Sequence, residues 1–108
     1  MKHFATIIFY ENIFPGEDAK RLKRIARMIR RENLLVVEEK YEHIPCKFDD
    51  LLKAQSTSLV EIPGAVEERY FVTFEAADPK RLHALVAWLQ AYAVYCGTCS
   101  RLFRWSSQ

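Results

Sequence analysis

Hydrophobic residues recur with two different periods along the chain, and this pattern divides it into strands and helices. Segments rich in β-branched and aromatic residues predict three strands, at His3–Tyr10, Leu34–Tyr41 and Arg69–Ala76. A shorter alternating segment, Arg101–Trp105, predicts a last strand.

Two segments show helical periodicity. In Ala19–Arg31, apolar and basic residues occupy opposite sides of a helix with 100° per residue. A second helix is expected from about Lys80 to Cys96, because Asp78 is a favourable N-cap residue and Pro79 is favourable in a first turn. Gly97 is a suitable terminator of this helix.

The elements follow one another as strand, helix, strand, long loop, strand, helix, strand. This order predicts an α+β fold of the ferredoxin-like βαββαβ type, in which an antiparallel four-stranded sheet carries two helices on one face. Residues 1–108 are expected to form one such domain, with a loop insertion at about residues 44–67 and a short helical turn at Phe48–Ala54. The alternative is an α+β sandwich that lacks the last strand.

Two apolar surfaces exceed what the core of such a domain needs. The first strand is apolar on both faces, although helices cover only one face of this fold. The second helix has no charged residue after Arg81, and apolar residues continue around its back. A homo-oligomer such as a homodimer, or another protein partner, is expected to cover them. In the alternative interpretation, the loop Ile44–Ala65 folds over one of these surfaces.

Positive charge is concentrated in the first helix. The chain has 16 Lys and Arg residues and 14 Asp and Glu residues, and Ala19–Arg31 holds seven of the basic residues and none of the acidic ones. The rest of the chain is therefore net negative. Within this helix, six basic residues fall in an arc of roughly 120°. They are Lys20, Lys23, Arg24, Arg27, Arg30 and Arg31.

These six residues form the predicted anion-binding face. Like charges recur at i and i+4 within the set, and each such pair costs roughly 0.2–0.5 kcal/mol with no acidic residue in the helix to offset it. An external anion is expected to offset this repulsion. The candidates are nucleic acid, an acidic protein surface, or Glu38 and Glu39 in the second strand of a neighbouring subunit. The alternative is an ordinary solvated helix face.

Two strand segments resemble the ribonucleoprotein motifs of RNA-recognition-motif domains. Ile8–Ile13 follows the pattern of the second motif, and Phe71–Phe74 resembles the end of the first. The resemblance implies that Phe9 and Phe71 lie side by side on the open sheet face, as stacking platforms for bases. The glycines of that family are replaced by other residues here, which favours the alternative that Phe9 and Phe71 are packing residues beneath a partner or the long loop.

Two pairs of candidate metal ligands have the spacing His43-x-x-Cys46 and Cys96-x-x-Cys99. Together they could make a tetrahedral Cys3His zinc site. The second strand and the second helix end at the same edge of a ferredoxin-like sheet, so the two pairs could meet. A reactive dithiol is disfavoured, because Cys96 would lie at a helix C-terminus, where the dipole opposes a thiolate. The alternative is that the cysteines are small packing residues and no cofactor is bound.

The sequence carries no signature of catalysis. Only three glycines are present, no glycine-rich phosphate loop occurs, and the three histidines are dispersed. No catalytic residue is predicted, and the protein is expected not to be an enzyme. An odd number of cysteines and no recognisable secretory leader predict a cytoplasmic protein. The segment Leu82–Ser100 is too short and too polar for a membrane span.

The leading hypothesis is a small non-enzymatic binding module that presents the basic helix face to an anionic partner, with nucleic acid as the first choice. The first alternative is a protein-interaction or regulatory module, including an inhibitor, that acts as a homo-oligomer. The second alternative is a structural zinc protein or a thiol-redox protein.

Overall fold

The computed structural model describes residues 1–13, 17–32, 34–45 and 66–108. Four strands and two helices occur along the chain as β1 (His3–Ile13), α1 (Lys20–Arg31), β2 (Val36–Pro45), β3 (Val66–Ala76), α2 (Pro79–Tyr95) and β4 (Cys99–Ser107). In these ranges neither helix combines the length and the apolar character that crossing a membrane requires.

The four strands form one antiparallel sheet with the order β2-β3-β1-β4. β1 pairs with β3 on one side and with β4 on the other, and β2 pairs with β3. β2 and β4 are therefore the edge strands. The prediction of an α+β fold with a four-stranded antiparallel sheet and two helices is confirmed, and the last strand is present.

One face of the sheet packs against both helices. Successive residues of a strand point to opposite faces, so alternate residues of β1 and β3 enter the core. The fully buried residues of these two strands in the core are Ala5, Ile7, Phe9, Tyr70, Val72 and Phe74. The helices contribute residues spaced three or four positions apart, as one face of a helix requires. They are Leu22, Ile25, Ala26, Met28 and Ile29 from α1, and Leu82, Val86, Leu89 and Ala93 from α2.

Both ends of α2 have the capping residues that the sequence predicts. The side chain of Asp78 accepts a hydrogen bond from the backbone N–H of Lys80 at 2.9 Å. Gly97 has a φ of +73°, a conformation that glycine adopts without a steric cost. It allows the N–H of Thr98 to reach back to the carbonyl of Ala93 at 2.8 Å. These caps fix where α2 ends and β4 begins.

The strands beside the long connection are longer than predicted. Ile44 pairs with Glu67 and Pro45 pairs with Val66, so the loop limits of 44–67 were too wide at both ends. A proline is tolerated there because it lies at the end of an edge strand. The predicted helical turn at Phe48–Ala54 lies outside the described residues.

Phe9 and Phe71 lie on opposite faces of the sheet, which corrects the prediction that they form one stacking platform. In the register of β1 and β3, Phe9 is opposite Tyr70, and Ile8 is opposite Phe71. Phe9 is fully buried beneath the helices, with its ring centroid 6.1 Å from that of Tyr70. Because both faces of β1 are apolar, the motif resemblance did not identify which set points inward.

This assignment of faces predicts unequal losses of stability. Phe9→Ala is expected to lower the free energy of unfolding by about 3–5 kcal/mol, because a fully buried ring is removed and leaves a cavity. Phe71→Ala, on the half-buried open face, is expected to cost clearly less. Urea denaturation measures both, and Phe9→Leu supplies a milder variant if Phe9→Ala does not fold. Equal losses at the two positions would contradict the register.

Candidate functional site

The six basic residues of the predicted anion-binding face all lie on the exposed side of α1. The buried side of the same helix is apolar throughout, so packing against the sheet leaves the basic side facing outward. No acidic residue occurs in the first turn of α1, and its last turn contains Arg30 and Arg31. The structure thus brings the predicted residues together on one surface.

Three of the six basic residues have carboxylate partners within the chain. The ion pairs are Lys23–Asp18 at 2.5 Å, Arg30–Glu39 at 3.4 Å and Arg31–Glu32 at 3.4 Å. The sequence correctly showed no acidic residue inside the helix, but Asp18 precedes it, Glu32 follows it, and Glu39 comes from β2 of the same chain. The acidic second strand therefore offsets the charge of Arg30 within one subunit.

The other three, Lys20, Arg24 and Arg27, have no ion pair with any carboxylate of the described residues. Burial raises the pKa of the Tyr92 hydroxyl in α2 and Cys96 raises it further, while Arg24, which lies beside that hydroxyl, partly opposes the shift. A neutral hydroxyl does not neutralise the guanidinium. Among the described residues, these three therefore form the part of the face without an ion-paired carboxylate, although Asp18 attracts Lys20 at longer range.

These three residues form a straight row along α1. Steps of four and three residues return a side chain to nearly the same side of a helix, so Lys20, Arg24 and Arg27 lie in line, and Arg31 continues the line. From Lys20 to Arg31 the row is roughly 17 Å long at 1.5 Å per residue. Lys23 and Arg30 lie to one side of the row, nearer to β2. We call Lys20, Arg24, Arg27 and Arg31 the outer row.

A groove of about 430 Å³ runs between α1 and the edge strand β2. Four cations of the helix line it, together with Asp18, which is paired with Lys23, and Tyr41 from the strand; the cations are Lys20, Lys23, Arg27 and Arg30. One wall is therefore cationic, and the other presents a half-exposed aromatic ring. An extended anionic chain fits such a groove in charge, and the planar guanidinium groups suit phosphate or carboxylate oxygens.

The wall of this groove is held by a polar network that the sequence did not predict. The hydroxyl of Tyr70 donates a hydrogen bond to Glu39 at 2.5 Å, and Arg30 donates to the other oxygen of Glu39 at 3.4 Å. The ring of Tyr41 stacks on that of Tyr70, with centroids 4.7 Å apart. The network ties α1, β2 and β3 together. Residues from three distant segments take part, so no local motif could have indicated it.

Electrostatic effects keep this network in one protonation state at neutral pH. The hydrogen bond from Tyr70 lowers the pKa of Glu39, burial opposes this, and Arg30 lowers it further. Burial raises the pKa of Tyr70, and the nearby Glu39 carboxylate raises it further. Tyr70 is therefore a donor and Glu39 an ionised acceptor. Arg30 consequently has a structural partner, which leaves the outer row as the part of the face available to a ligand.

The predicted zinc ligands do not come together among the described residues. His43 lies in β2 and Cys99 in β4, at the same end of the sheet but on its opposite edges, with β3 and β1 between them. Three strand spacings of about 4.8 Å separate them by roughly 14 Å, whereas zinc binds its ligands at about 2.0–2.3 Å. Cys46 lies outside the described residues. His43 is instead hydrogen-bonded through Nδ1 to the carboxylate of Glu68.

The cysteine pair is thus separated from the predicted histidine ligand. Cys96 is half-buried at the end of α2, and Cys99 is exposed at the start of β4, both as free thiols. Within the described ranges, no group of three or more His, Cys, Asp and Glu side chains could hold a metal ion.

The outward side of α2 is a second exposed surface, and it has no charged residue after Arg81, as the sequence predicts. Trp88, Val94 and Tyr95 are 48, 77 and 78% exposed. The ring of Tyr92 lies between the two other rings, 5.7 Å from Trp88 and 6.2 Å from Tyr95 between centroids. Exposed alanines fill the gaps between these residues, at Ala84, Ala87 and Ala91. We call this surface the α2 apolar face.

The open face of the sheet has an aromatic pair that the sequence motif misplaced. Phe71 does lie there, but the ring beside it is that of Phe103 in β4, at 5.6 Å and edge to face. The alternating segment Arg101–Trp105 indicated a strand but not the direction of each side chain, because its register shifts opposite Thr6 and Ile7. The sequence did contain one indication of this surface, since Phe103 lies between Arg101 and Arg104.

Comparison with known proteins assigns no relationship to this chain. No protein-family model matches it, and no curated protein has a significantly similar sequence.

The network around Glu39 predicts a pH-dependent contribution to stability. The folded-state pKa of Glu39 is lowered relative to an unfolded value of about 4.3, so its stabilising effect is present above that pH and is lost as the pH falls through the folded pKa. Glu39→Ala is expected to cost about 1–3 kcal/mol at pH 7, since the buried Tyr70 hydroxyl loses its acceptor. The loss, measured by urea denaturation, is expected to shrink below about pH 4.

A matched control exists on the neighbouring residue. Glu38 lines the open sheet face on the same strand, and Glu38→Ala is expected to change the free energy of unfolding by less than about 0.5 kcal/mol. Adding Tyr70→Phe to Glu39→Ala is expected to restore part of the loss. A Glu39→Ala cost that does not depend on pH would contradict the ionised network.

Proposed function

We propose that this protein is a small non-enzymatic binding module of the ferredoxin-like type, and that the outer row of α1 binds the phosphate groups of nucleic acid. The strand order β2-β3-β1-β4, together with the order of elements along the chain, supports this fold type. The free thiols of Cys96 and Cys99 support a reducing compartment such as the cytoplasm.

A binding role rather than catalysis fits the placement of the histidines. Each contacts a different part of the structure, so they do not form a common site. Their partners are Ser107 for His3, Glu68 for His43 and the ring of Trp105 for His83. Two of these contacts join strands, and the third joins α2 to β4, so all three are explained by the fold.

The observation that carries the proposal is the charge of Lys20, Arg24 and Arg27, which pairs with no carboxylate of the described ranges. The chain does pair the flanking basic residues, with carboxylates from before the helix, after it and from β2. Lys20, Arg24 and Arg27, by contrast, keep like charges close together along the helix, at a cost of roughly 0.2–0.5 kcal/mol per pair. A bound polyanion reverses the sign of this effect, because each cation then gains a partner.

Nucleic acid is favoured over an acidic protein because the cations form a regular linear array. Phosphates recur evenly along a nucleic-acid strand, and a row of cations roughly 17 Å long can contact several of them. Such contacts supply affinity without reading sequence. The groove between α1 and β2 lies beside the row and can accommodate the nucleic-acid strand. If the partner is instead an acidic protein surface, the experiment below is expected to show no binding to RNA or DNA.

Binding is expected to weaken linearly with the logarithm of the salt concentration, because phosphate contacts release counterions. Replacing both Arg24 and Arg27 by Gln is expected to weaken binding at low salt and to reduce the salt slope by about two. Fluorescence anisotropy with labelled RNA and DNA oligonucleotides at several salt concentrations measures affinity and slope together.

Arg21→Gln is the matched control for this prediction. Arg21 is on the same helix and is exposed, but it lies off the outer row, 3.9 Å from Glu11. It is expected to leave the slope nearly unchanged. If wild-type protein binds neither RNA nor DNA at low salt, or if Arg21→Gln acts as strongly as the outer-row variant, the proposal is wrong.

The α2 apolar face favours a second candidate function, self-association into a homodimer. After Arg81 this face has three aromatic residues and no charged residue over about 21 Å of helix. A second copy is the occupant that suits it best, since two uncharged faces meet without like-charge repulsion and the alanines allow close helix contact. Aromatic side chains of this kind are enriched in interfaces between proteins.

If the protein is a dimer through this face, one introduced charge is expected to separate the subunits. Val94→Glu is expected to give a monomer by sedimentation velocity at a protein concentration where the wild type is a dimer, because a carboxylate would be buried without a partner. Val37→Glu is the control, since Val37 is also an exposed valine, at 51%, but lies on β2. A wild-type protein that remains monomeric at high concentration contradicts the dimer.

A further inference from the structure

The open face of the sheet, on the side away from the helices, contains a concave patch that crosses all four strands. Its volume is about 390 Å³, within the range of about 300–1,000 Å³ that ligand sites occupy. The rings of Phe71 and Phe103 meet there edge to face, 5.6 Å apart. Phe103 is 52% exposed, so much of its ring is available to a ligand. We call this surface the sheet patch.

A bulge in β4 creates the position of Phe103. Ile7 is opposite Leu102, but Thr6 is opposite Arg104, so Phe103 is the extra residue of the shifted register. Both Phe103 and Arg104 line the sheet patch as a result. A bulge redirects side chains in this way and is common beside binding sites. It places an aromatic ring and a cation together at the outer strand of the patch.

Charge divides the sheet patch into two halves. On β2 and β3 the cations are already neutralised, by the ion pairs Lys40–Glu42 at 2.7 Å and Arg69–Glu67 at 2.6 Å. On β4, Arg101 and Arg104 have no ion pair with any carboxylate of the described residues. Glu38 adds a further negative charge on the β2 side. The β4 half alone is therefore net positive, and it is the half that contains the exposed ring.

We propose that the sheet patch binds an unpaired nucleotide of a single-stranded nucleic acid, with the base stacked on Phe103 and the adjoining phosphate held by Arg101 and Arg104. Stacking on an aromatic ring requires a base whose face is free, which a base inside a duplex does not offer. This inference rests on the proposed function for the class of ligand and adds that the nucleic acid is single-stranded.

The carboxylates of the patch determine which way the strand runs. The β2 side of the patch is net negative, because Lys40 is paired with Glu42 and Glu38 remains, so the phosphate chain follows β4 and only the base reaches inward toward Phe71, beside Lys40. The base approaches over the hydroxyl groups of Thr6 and Thr73, which are hydrogen-bonded to each other at 2.8 Å on the floor of the patch. A ring, two cations and a polar floor together suit a nucleotide better than an apolar peptide.

The test compares a single-stranded oligouridylate of about ten nucleotides with an abasic strand that has the same number of phosphates. Wild-type protein is expected to bind the oligouridylate more tightly than the abasic strand. Phe103→Ala is expected to weaken oligouridylate binding roughly 5- to 100-fold, the usual effect of removing a stacking ring. It is expected to leave binding of the abasic strand unchanged, and Phe103→Tyr, which keeps a ring, is expected to retain most of the affinity.

Leu102→Ala is the matched control. Leu102 is adjacent in β4 and similarly exposed, at 43%, but its register partner Ile7 faces the core. The control is expected to bind both strands as the wild type does, and circular dichroism verifies that every variant is folded.

The outcomes separate this inference from the proposed function. If Phe103→Ala leaves oligouridylate binding unchanged while replacing Arg24 and Arg27 weakens it, the sheet patch is not a base site and the outer row stands. If the reverse holds, the sheet patch stands and the outer row is wrong. An equal loss on both strands with Phe103→Ala overturns base stacking, and the absence of binding to either strand overturns both.

Discussion

The pairing of β1 with β3 is the constraint on which the rest of the structure depends. β1 is hydrogen-bonded on both sides, and its alternate residues Ala5, Ile7 and Phe9 form the floor on which both helices pack. A shift of one residue in this register would exchange the two faces of β1. Ile8 would then meet the helices, and the buried ring of Phe9 would lose its contact with Tyr70. The positions of the helices and of the exposed surfaces follow from this one register.

Tyr70 connects the core, whose packing this register fixes, to the surface of the protein. Its ring lies in the core between Phe9 and Tyr41, and its hydroxyl reaches Glu39, which in turn binds Arg30 of α1. The orientation of α1 about its own axis is thus set by apolar contacts on one side and by this polar contact on another. With Arg30 engaged toward β2, the outer row of α1 is turned away from the sheet. The exposed charge is a consequence of how the core packs.

Periodicity in the sequence was enough to predict the element types, the two-helix arrangement and the caps of α2, because these depend on neighbours in the chain. The lengths of β2 and β3 could not be predicted, since their ends are stabilised by pairing between Ile44 and Glu67, which are distant in sequence. The side of the sheet on which Phe9 lies could not be predicted either, because β1 is apolar on both sides. His43 was grouped with the cysteines from their spacing and from the expected edge of the sheet, whereas the strand order places His43 and Cys99 on opposite edges.

For the candidate site, the sequence indicated the basic side of α1 but not which of its residues are free. That distinction depends on Asp18, Glu32 and Glu39, and only the fold shows that Glu39 reaches the helix. Phe103 was missed for a related reason. The bulge in β4 changes the direction of a side chain without changing the residue pattern. The strand could therefore be predicted, but not which of its side chains line the open face of the sheet.

The two charged surfaces differ in the kind of contact that they can make. The outer row presents cations, and the ring across the groove from it, that of Tyr41, is already stacked on Tyr70, so the row responds mainly to the density of phosphates. The sheet patch joins Phe103 to Arg101 and Arg104, so its ring and its cations can act on one nucleotide. The sheet separates α1, which carries the outer row, from the sheet patch, so the two surfaces share no residue and their contributions are expected to add to a first approximation. A domain with both can hold a strand by its charge and distinguish unpaired from paired bases by stacking.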